Sequence, residues 1–575
     1  MEIQEKIKTQ IFGILKEMGI SEPKVDLEHP SDMSFGDLSA NVAMVYAKEL
    51  GKNPHQLAEE IASEVRKVLD NDIDKIDVAG VGFINFYLSP AFFARSVSDI
   101  YKAKKPFGSN EEGFGERIMI EYTNPNPFKD LHVGHLMTNT IGESLSRLLE
   151  YTGATVIRAN YQGDVGPHVA KAIWGMRNNI DDRPGEEADL LEKVKFIGDG
   201  YVAGNLAYEK EGKEKDEIDL LNREVYEQKD PEIIELYRWG REVSLLYFES
   251  IYRKLGTSFD HYFFESQTFS IGMEIVEEGL EKGVFERSDG AVIFRGSEEE
   301  GLHTRVFVNS LGLPTYETKD LGLAILKEKT EKDLDRSIVV TSNEQKDYFP
   351  VMLKALSYFD PDTANKTSHI YHGTLVTPEG KMSSRKGNVL GGGTILEDIE
   401  ETAIKKVREG GRLSSEESEK ETAERVALSA FRYSVLKQAT GRDVIFDMSQ
   451  ALSFEGDSGP YLQYSFTRAS SVVERARQQG IEPEVAKESP YLSELERLLY
   501  RFPEVVLRSQ KEYAPHYIAT YLNAIASAFN NFYSQERIAD PDDEFSGYKL
   551  LLTESFRVAM KNGLYLLGIK TPEKM

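Results

Sequence analysis

The chain has 575 residues, 40% of them apolar and 29% charged, a balance that excludes a disordered, collagen-like or low-complexity protein and leaves room for about three or four domains. It contains no cysteine, which excludes disulfides, thiolate metal sites and a cysteine nucleophile. The net charge of −27 argues against a nucleic-acid partner, but residues 401–575 carry 23 basic against 26 acidic side chains, so a basic face stays open to the last third.

Residues 1–20 set Ile3, Ile7, Ile11, Ile14, Leu15 and Met18 on one stripe and predict an amphipathic helix. This start lacks the apolar run of a secretory signal, and no stretch reaches the ~18 apolar residues of a membrane span, so no membrane partner is expected. A small α/β unit follows: Phe35-Gly36-Asp37, helices over 40–50 and 54–69, and a strand over 83–88. Residues 103–115 mix Lys, Pro, Gly, Ser and Asn, which is linker chemistry, and the first domain is drawn as 1–108.

The stretch 117–122 (RIMIEY) predicts a short buried strand, followed by a Pro/Asn turn, a helix over about 134–152 and a strand restarting at 156–159. Strand, crossover helix and strand imply a βαβ unit and a parallel sheet. From 184 the pattern turns helical and acidic, and an insertion of about 184–290 is expected within a sheet domain spanning 109–395. Strand signals return at 290–294, 305–307 and 337–341. After Gly391-Gly392-Gly393, helical spacing in 423–437, 461–478, 491–507 and 514–532 predicts an all-α bundle over 396–575. Its aromatics (Tyr513, Tyr517, Tyr521, Phe529, Phe532, Tyr533) read mostly as core, with a few exposed Tyr, Asn or Arg side chains left to stack on unpaired bases.

Two constellations carry chemistry. His132-Val133-Gly134-His135 stands at a helix N-terminus, where both imidazoles can face a phosphate held by free backbone donors. Gly134 leaves the backbone open to a flat base. About 250 residues later, Lys381-Met382-Ser383-Ser384-Arg385 sets cations and hydroxyls on a Gly-rich loop, suited to the charge on a leaving pyrophosphate. Together, in this order, the two resemble the signature of class I aminoacyl-tRNA synthetases.

The surrounding words resemble the arginyl-tRNA synthetase family over essentially the whole chain: Glu121-Tyr122-Thr123-Asn124-Pro125-Asn126 with Lys129 before HVGH, Arg158-Ala159-Asn160 with Gly163-Asp164, Tyr316-Glu317-Thr318-Lys319-Asp320, and LSFEGDSGPYLQY at 452–464. That resemblance implies a multidomain α/β enzyme with a Rossmann-type catalytic domain, a small N-terminal α/β domain against the tRNA elbow, and a C-terminal all-α anticodon-binding bundle. It implies ligation of L-arginine to its tRNA through an arginyl-adenylate, with ATP and Mg2+, no protein-built metal site, a cytoplasmic location and a monomer. His132, Gly134, His135, Lys381, Met382, Ser383, Ser384 and Arg385 would hold ATP, with His132, His135, Lys381 and Lys129 catalytic. Lys129 and Lys381 are both present, so their shares of the phosphate charge stay open. Asp320 and Tyr316, four residues apart on one helix face, suit a guanidinium, which donates five hydrogen bonds in a fixed fork. By the resemblance, Glu265 adds a carboxylate, while Glu121, Asn124, Asn126 and Gln345 complete the arginine site. A class I synthetase for another amino acid and a non-catalytic tRNA-binding relative are the alternatives.

Overall fold

The computed structural model describes residues 2–68, 71–210, 212–297, 299–378, 380–381, 392–410 and 416–572. At the N-terminus, the helix Glu2–Glu17 buries Ile3, Ile7, Ile11 and Leu15, the stripe read from its spacing. It packs with Pro54–Val68 on an antiparallel sheet ordered Leu27–Glu28, Leu38–Ala40, Phe83–Leu88, Ile73–Ala79. The helix expected over 40–50 shortens to Val42–Tyr46, and the strand Ile73–Ala79 lacks the apolar alternation that would have signalled it. The polar 103–115 segment is not a free tether: Phe107 stacks on Phe502 at 5.7 Å, and its carbonyl accepts from Tyr151 at 2.7 Å.

The central sheet is wholly parallel. Its spatial order is Thr367–His372, Arg336–Ser342, Arg117–Glu121, Thr155–Gln162, His261–Phe264. In chain sequence that order is 5-4-1-2-3, the Rossmann arrangement, with its switch point between Arg117–Glu121 and Arg336–Ser342. The strand predicted at 290–294 lies elsewhere, in a small antiparallel sheet of Glu286–Ser288, Ala291–Phe294 and Arg305–Val308. The expected insertion over 184–290 needs correction: His261–Phe264 returns to the central sheet beside Thr155–Gln162, so the inserted body is helical, Leu190–Tyr208, Lys213–Glu227 and Pro231–Leu255.

The helix Val133–Glu150 crosses from this sheet into the helical region. Near its C-terminal end Ser144 donates to the Leu566 carbonyl at 2.8 Å and Arg147 to that of Tyr565 at 3.0 Å. Fully buried Arg432 donates to the carbonyls of Gly568 and Leu255, tying the last turn of the chain to the sheet domain. The helical region starts with Gly392–Gly410 and Glu416–Leu436, which pack on Val133–Glu150. The helix predicted over 491–507 breaks into Glu494–Leu499 and Phe502–Lys511, because Pro503 has no N–H to continue the first one. Along the N-terminal domain's seam with this region, buried Asp37 accepts from Arg497 at 2.8 Å.

Candidate functional site

The strand Arg117–Glu121 ends in a turn whose Thr123, Asn124 and Phe128 take positive φ values of 74°, 49° and 66°. Asn tolerates this left-handed region better than most residues. The turn throws the chain across the switch point and starts Val133–Glu150 with His132 as its cap. His132 Nδ1 accepts the Gly134 N–H at 3.1 Å, and the His132 N–H is donated to His135 Nδ1 at 3.2 Å. The two rings stack at 3.7 Å. Because each Nδ1 accepts a backbone proton, the ring proton of each neutral imidazole sits on Nε2, free to donate outward. Burial, with Lys129 nearby, holds His132 below the usual histidine range. Burial, then His132, Lys129 and His372, holds His135 well below it, so at neutral pH both rings are uncharged donors. A Cβ on Gly134 would meet His132 Cε1 at 2.9 Å, so this glycine leaves room for the capping ring itself.

The acid wall comes from two helices that cross at glycine contacts. A Cβ on Gly272 or Gly322 would lie within about 2 Å of the facing Thr318 or Thr268 carbonyl oxygen, so only glycine lets Glu265–Lys282 and Tyr316–Thr330 approach so closely. The crossing brings Lys319 Nζ to Glu265 Oε2 at 2.6 Å, with both side chains buried. Lys327 pairs with Glu121, whose other oxygen accepts from Asn124 Nδ2 at 2.7 Å. Asn124 Oδ1 in turn accepts the Tyr161 N–H at 2.9 Å, so Asn124 braces Glu121 against the second strand. Asp320 accepts a hydrogen bond from the Tyr348 hydroxyl, and burial, reinforced by Glu121 and Glu265, pushes it up to about 8.

A cavity of about 270 Å3 opens between the histidines and this wall, at the C-terminal ends of the two switch-point strands. It gathers ten of the residues singled out from the sequence: Glu121, Asn124, Asn126, His132, Gly134, His135, Glu265, Tyr316, Asp320 and Gln345. Tyr316 stands at the mouth, 62% exposed, rather than in the wall. Lys129 lies outside the lining, its Nζ 5.2 Å from the Tyr201 ring centre, although its charge reaches both histidines. The side chain of Lys381, with Met382, Ser383, Ser384 and Arg385, lies outside the described residues.

Three contributors, Tyr348, Tyr161 and Lys327, escaped the sequence reading, and Asp164 entered it only as part of a family word. Tyr348 and Tyr161 follow polar runs, NEQKD and RAN, in which nothing marks the aromatic as reaching the cleft. Lys327 stands seven residues after Asp320, hence on the same helix face, and a second lysine on the buried face that also carries Lys319 was a legible signal. Asp164 is fully buried and accepts from Tyr237, Arg241 and both the N–H and hydroxyl of Ser266, anchoring the residue next to Glu265. In the helical region Tyr521, Phe529 and Phe532 are core as expected, whereas half-exposed Tyr533 and Tyr464 sandwich Arg468, at 5.1 and 4.7 Å, beside Asn530.

Comparison with known proteins agrees along the whole chain. Residues 97–448 match the family model for the catalytic domain of class I (R) tRNA synthetases, 462–575 the DALR anticodon binding domain, and 1–88 the arginyl tRNA synthetase N-terminal domain. An arginine–tRNA ligase of Treponema denticola is 30% identical over 100% of this chain and 99% of its own length. One of Clostridium perfringens is 31% identical, with 96% of each chain covered. The structure of Thermus thermophilus arginyl-tRNA synthetase is similar with a TM-score of 0.79 at 25% identity, covering 99% of this chain and all of that one.

Proposed function

The chain belongs to the arginyl branch of the class I aminoacyl-tRNA synthetases, and from that premise we infer that it joins L-arginine to its tRNA at the expense of ATP. The observation that carries the inference is one cleft with two neutral imidazole donors on one side and a wall of buried carboxylates on the other. In the first step the arginine carboxylate attacks the α-phosphate of ATP, giving arginyl-adenylate and pyrophosphate. The Nε2–H groups of His132 and His135 donate to phosphate oxygens as charge builds there, and Lys129 adds a positive field from behind them. No covalent enzyme intermediate is needed, so the work is positioning plus electrostatics.

Asp320 meets the guanidinium at the end of the pocket, and Glu121, Glu265 and Asn126, with Gln345 opposite, orient the rest of the substrate. Mg2+ arrives on the nucleotide, since it is bound largely through substrate phosphates and keeps several waters. In the second step a hydroxyl of the terminal ribose of tRNA takes the arginyl group. The Tyr464–Arg468–Tyr533 sandwich supports base reading by the helical region, and residues 1–108 face the tRNA elbow. The same reading has the protein act as a monomer in the cytoplasm.

The test is ATP–pyrophosphate exchange with each amino acid in turn, with and without bulk tRNA. Exchange with arginine alone supports the assignment. Exchange with a different amino acid overturns the pocket reading but keeps the class, and folded protein without exchange under any condition favours a non-catalytic relative.

A further inference from the structure

Five carboxylates line the cleft: Glu344 is exposed at its rim and Glu328 faces Lys366 at 3.9 Å, while Glu121, Glu265 and Asp320 form the acid wall, with two lysines among them. Lys319 is 6% exposed and bound to Glu265, and Lys327 is 5% exposed and bound to Glu121. Among the described residues, the hydrogen bond to the Asp320 carboxylate comes from the neutral phenol of Tyr348, and no ion pair is made to it. All three helical participants, Lys319, Asp320 and Lys327, come from Tyr316–Thr330, so one rigid element fixes both the acid and the cations that surround it.

Two of the wall's three acids are therefore matched before any ligand arrives. An arginine brings an α-ammonium and an α-carboxylate that cancel, and one guanidinium that does not. Resting on the assignment of this cleft to arginine, we propose that Lys327 is a specificity-determining residue: by neutralising Glu121 it leaves Asp320, among the described residues, as the one uncompensated acid of the wall, so the pocket accepts one side-chain cation and discriminates against an uncharged side chain of the same shape. Charge matching in a buried site gives this discrimination because an unpaired charge, on either partner, is costly there.

The groups facing Asp320 are Tyr348, Glu121 from the first strand, Glu265 from the neighbouring helix, Tyr161 from the second strand, and Tyr316 and Lys327 on its own helix. In the empty pocket burial and the two other acids raise Asp320 to about 8, and Lys327 opposes them. Deleting Lys327 removes that opposition and uncovers the charge of Glu121, and both changes push Asp320 further up.

The experiment is kcat/KM for arginine in ATP–pyrophosphate exchange between about pH 6 and pH 10, together with inhibition by citrulline, the neutral ureido analogue. Lys327→Met is expected to move the pH midpoint up by about one unit or more and, above that midpoint, where two acids then stand uncompensated, to raise the preference for arginine over citrulline about tenfold. Lys327→Arg restores both. Glu121→Gln combined with Lys327→Met removes one charge of each sign, keeps the count at one uncompensated acid, and is expected to return the midpoint to the wild-type value even though its overall rate falls. A Lys327→Met enzyme with unchanged midpoint and preference, whatever its thermal stability, overturns the proposal, as does a double variant whose midpoint stays with the single one. Wild-type protein that does not use arginine fails earlier, on the pocket assignment itself.

Discussion

Replacing Asp320 by Asn keeps the shape of the side chain and removes its charge, and the loss should depend on pH in a way only this pocket explains. A guanidinium left in a buried site without its counter-ion costs about 3–5 kcal/mol. The wild-type carboxyl is not ionised without cost: with its midpoint pushed up to about 8 in the empty pocket, giving up the proton costs about 1.4 kcal/mol at pH 7 and almost nothing at pH 9. The sign follows from the raised value: the charged form is lost as pH falls through 8, so arginine binding weakens on the acid side and releases a proton there. The variant's deficit in kcat/KM for arginine is then about 1.6–3.6 kcal/mol at pH 7, roughly 15- to 450-fold, and it grows about tenfold by pH 9. The assay is ATP–pyrophosphate exchange at saturating ATP, read as the wild-type to variant ratio, so that titration of the α-amino group and of ATP cancels. A ratio that stays flat across this range, or a deficit below about fivefold, would refute the role given to Asp320.

Further outcomes follow from the same geometry. Since a buried acid whose folded midpoint lies above its unfolded value loses stability as pH rises from about 4 to 8, Asp320→Asn without substrate should melt higher than wild type at pH 9, as scanning calorimetry would record. Gly134→Ala should slow adenylate formation in single-turnover quench-flow while leaving tRNA affinity unchanged, because the new methyl strikes the His132 ring. Asp164→Ala strands the buried Tyr237 and Ser266 donors and should cost about 2–4 kcal/mol, seen as a lower melting temperature together with a raised KM for arginine.

Much of this site was readable before any coordinates. His132 and His135 announce themselves because a helix start needs a capping acceptor, and two imidazoles at that spacing are a rare way to supply it. The acids were legible through chemistry: a guanidinium requires carboxylates, and Asp320 shares a helix face with its neighbours. What hid was everything that depends on two distant segments meeting. His261–Phe264 is four residues long and follows an acidic helical run, so its place in the parallel sheet comes from tertiary pairing with Thr155–Gln162 rather than from local pattern. Tyr348 looks like an ordinary residue until the fold sets its hydroxyl on Asp320, and the Gly272 and Gly322 crossing that brings the Tyr316–Thr330 helix against Glu265 leaves no apolar mark in the sequence.

The helix Val133–Glu150 has a second meaning beyond capping. Over 18 residues it is a rod roughly 27 Å long. Its leading end carries the two cleft-lining imidazoles, while its trailing half is tied through Ser144 and Arg147 to the last helix of the anticodon-binding region. One helix thus joins the cleft to the C-terminal helix: a shift of Val133–Glu150 along its axis would carry His132 and His135 at one end and the Leu566 and Tyr565 contacts at the other.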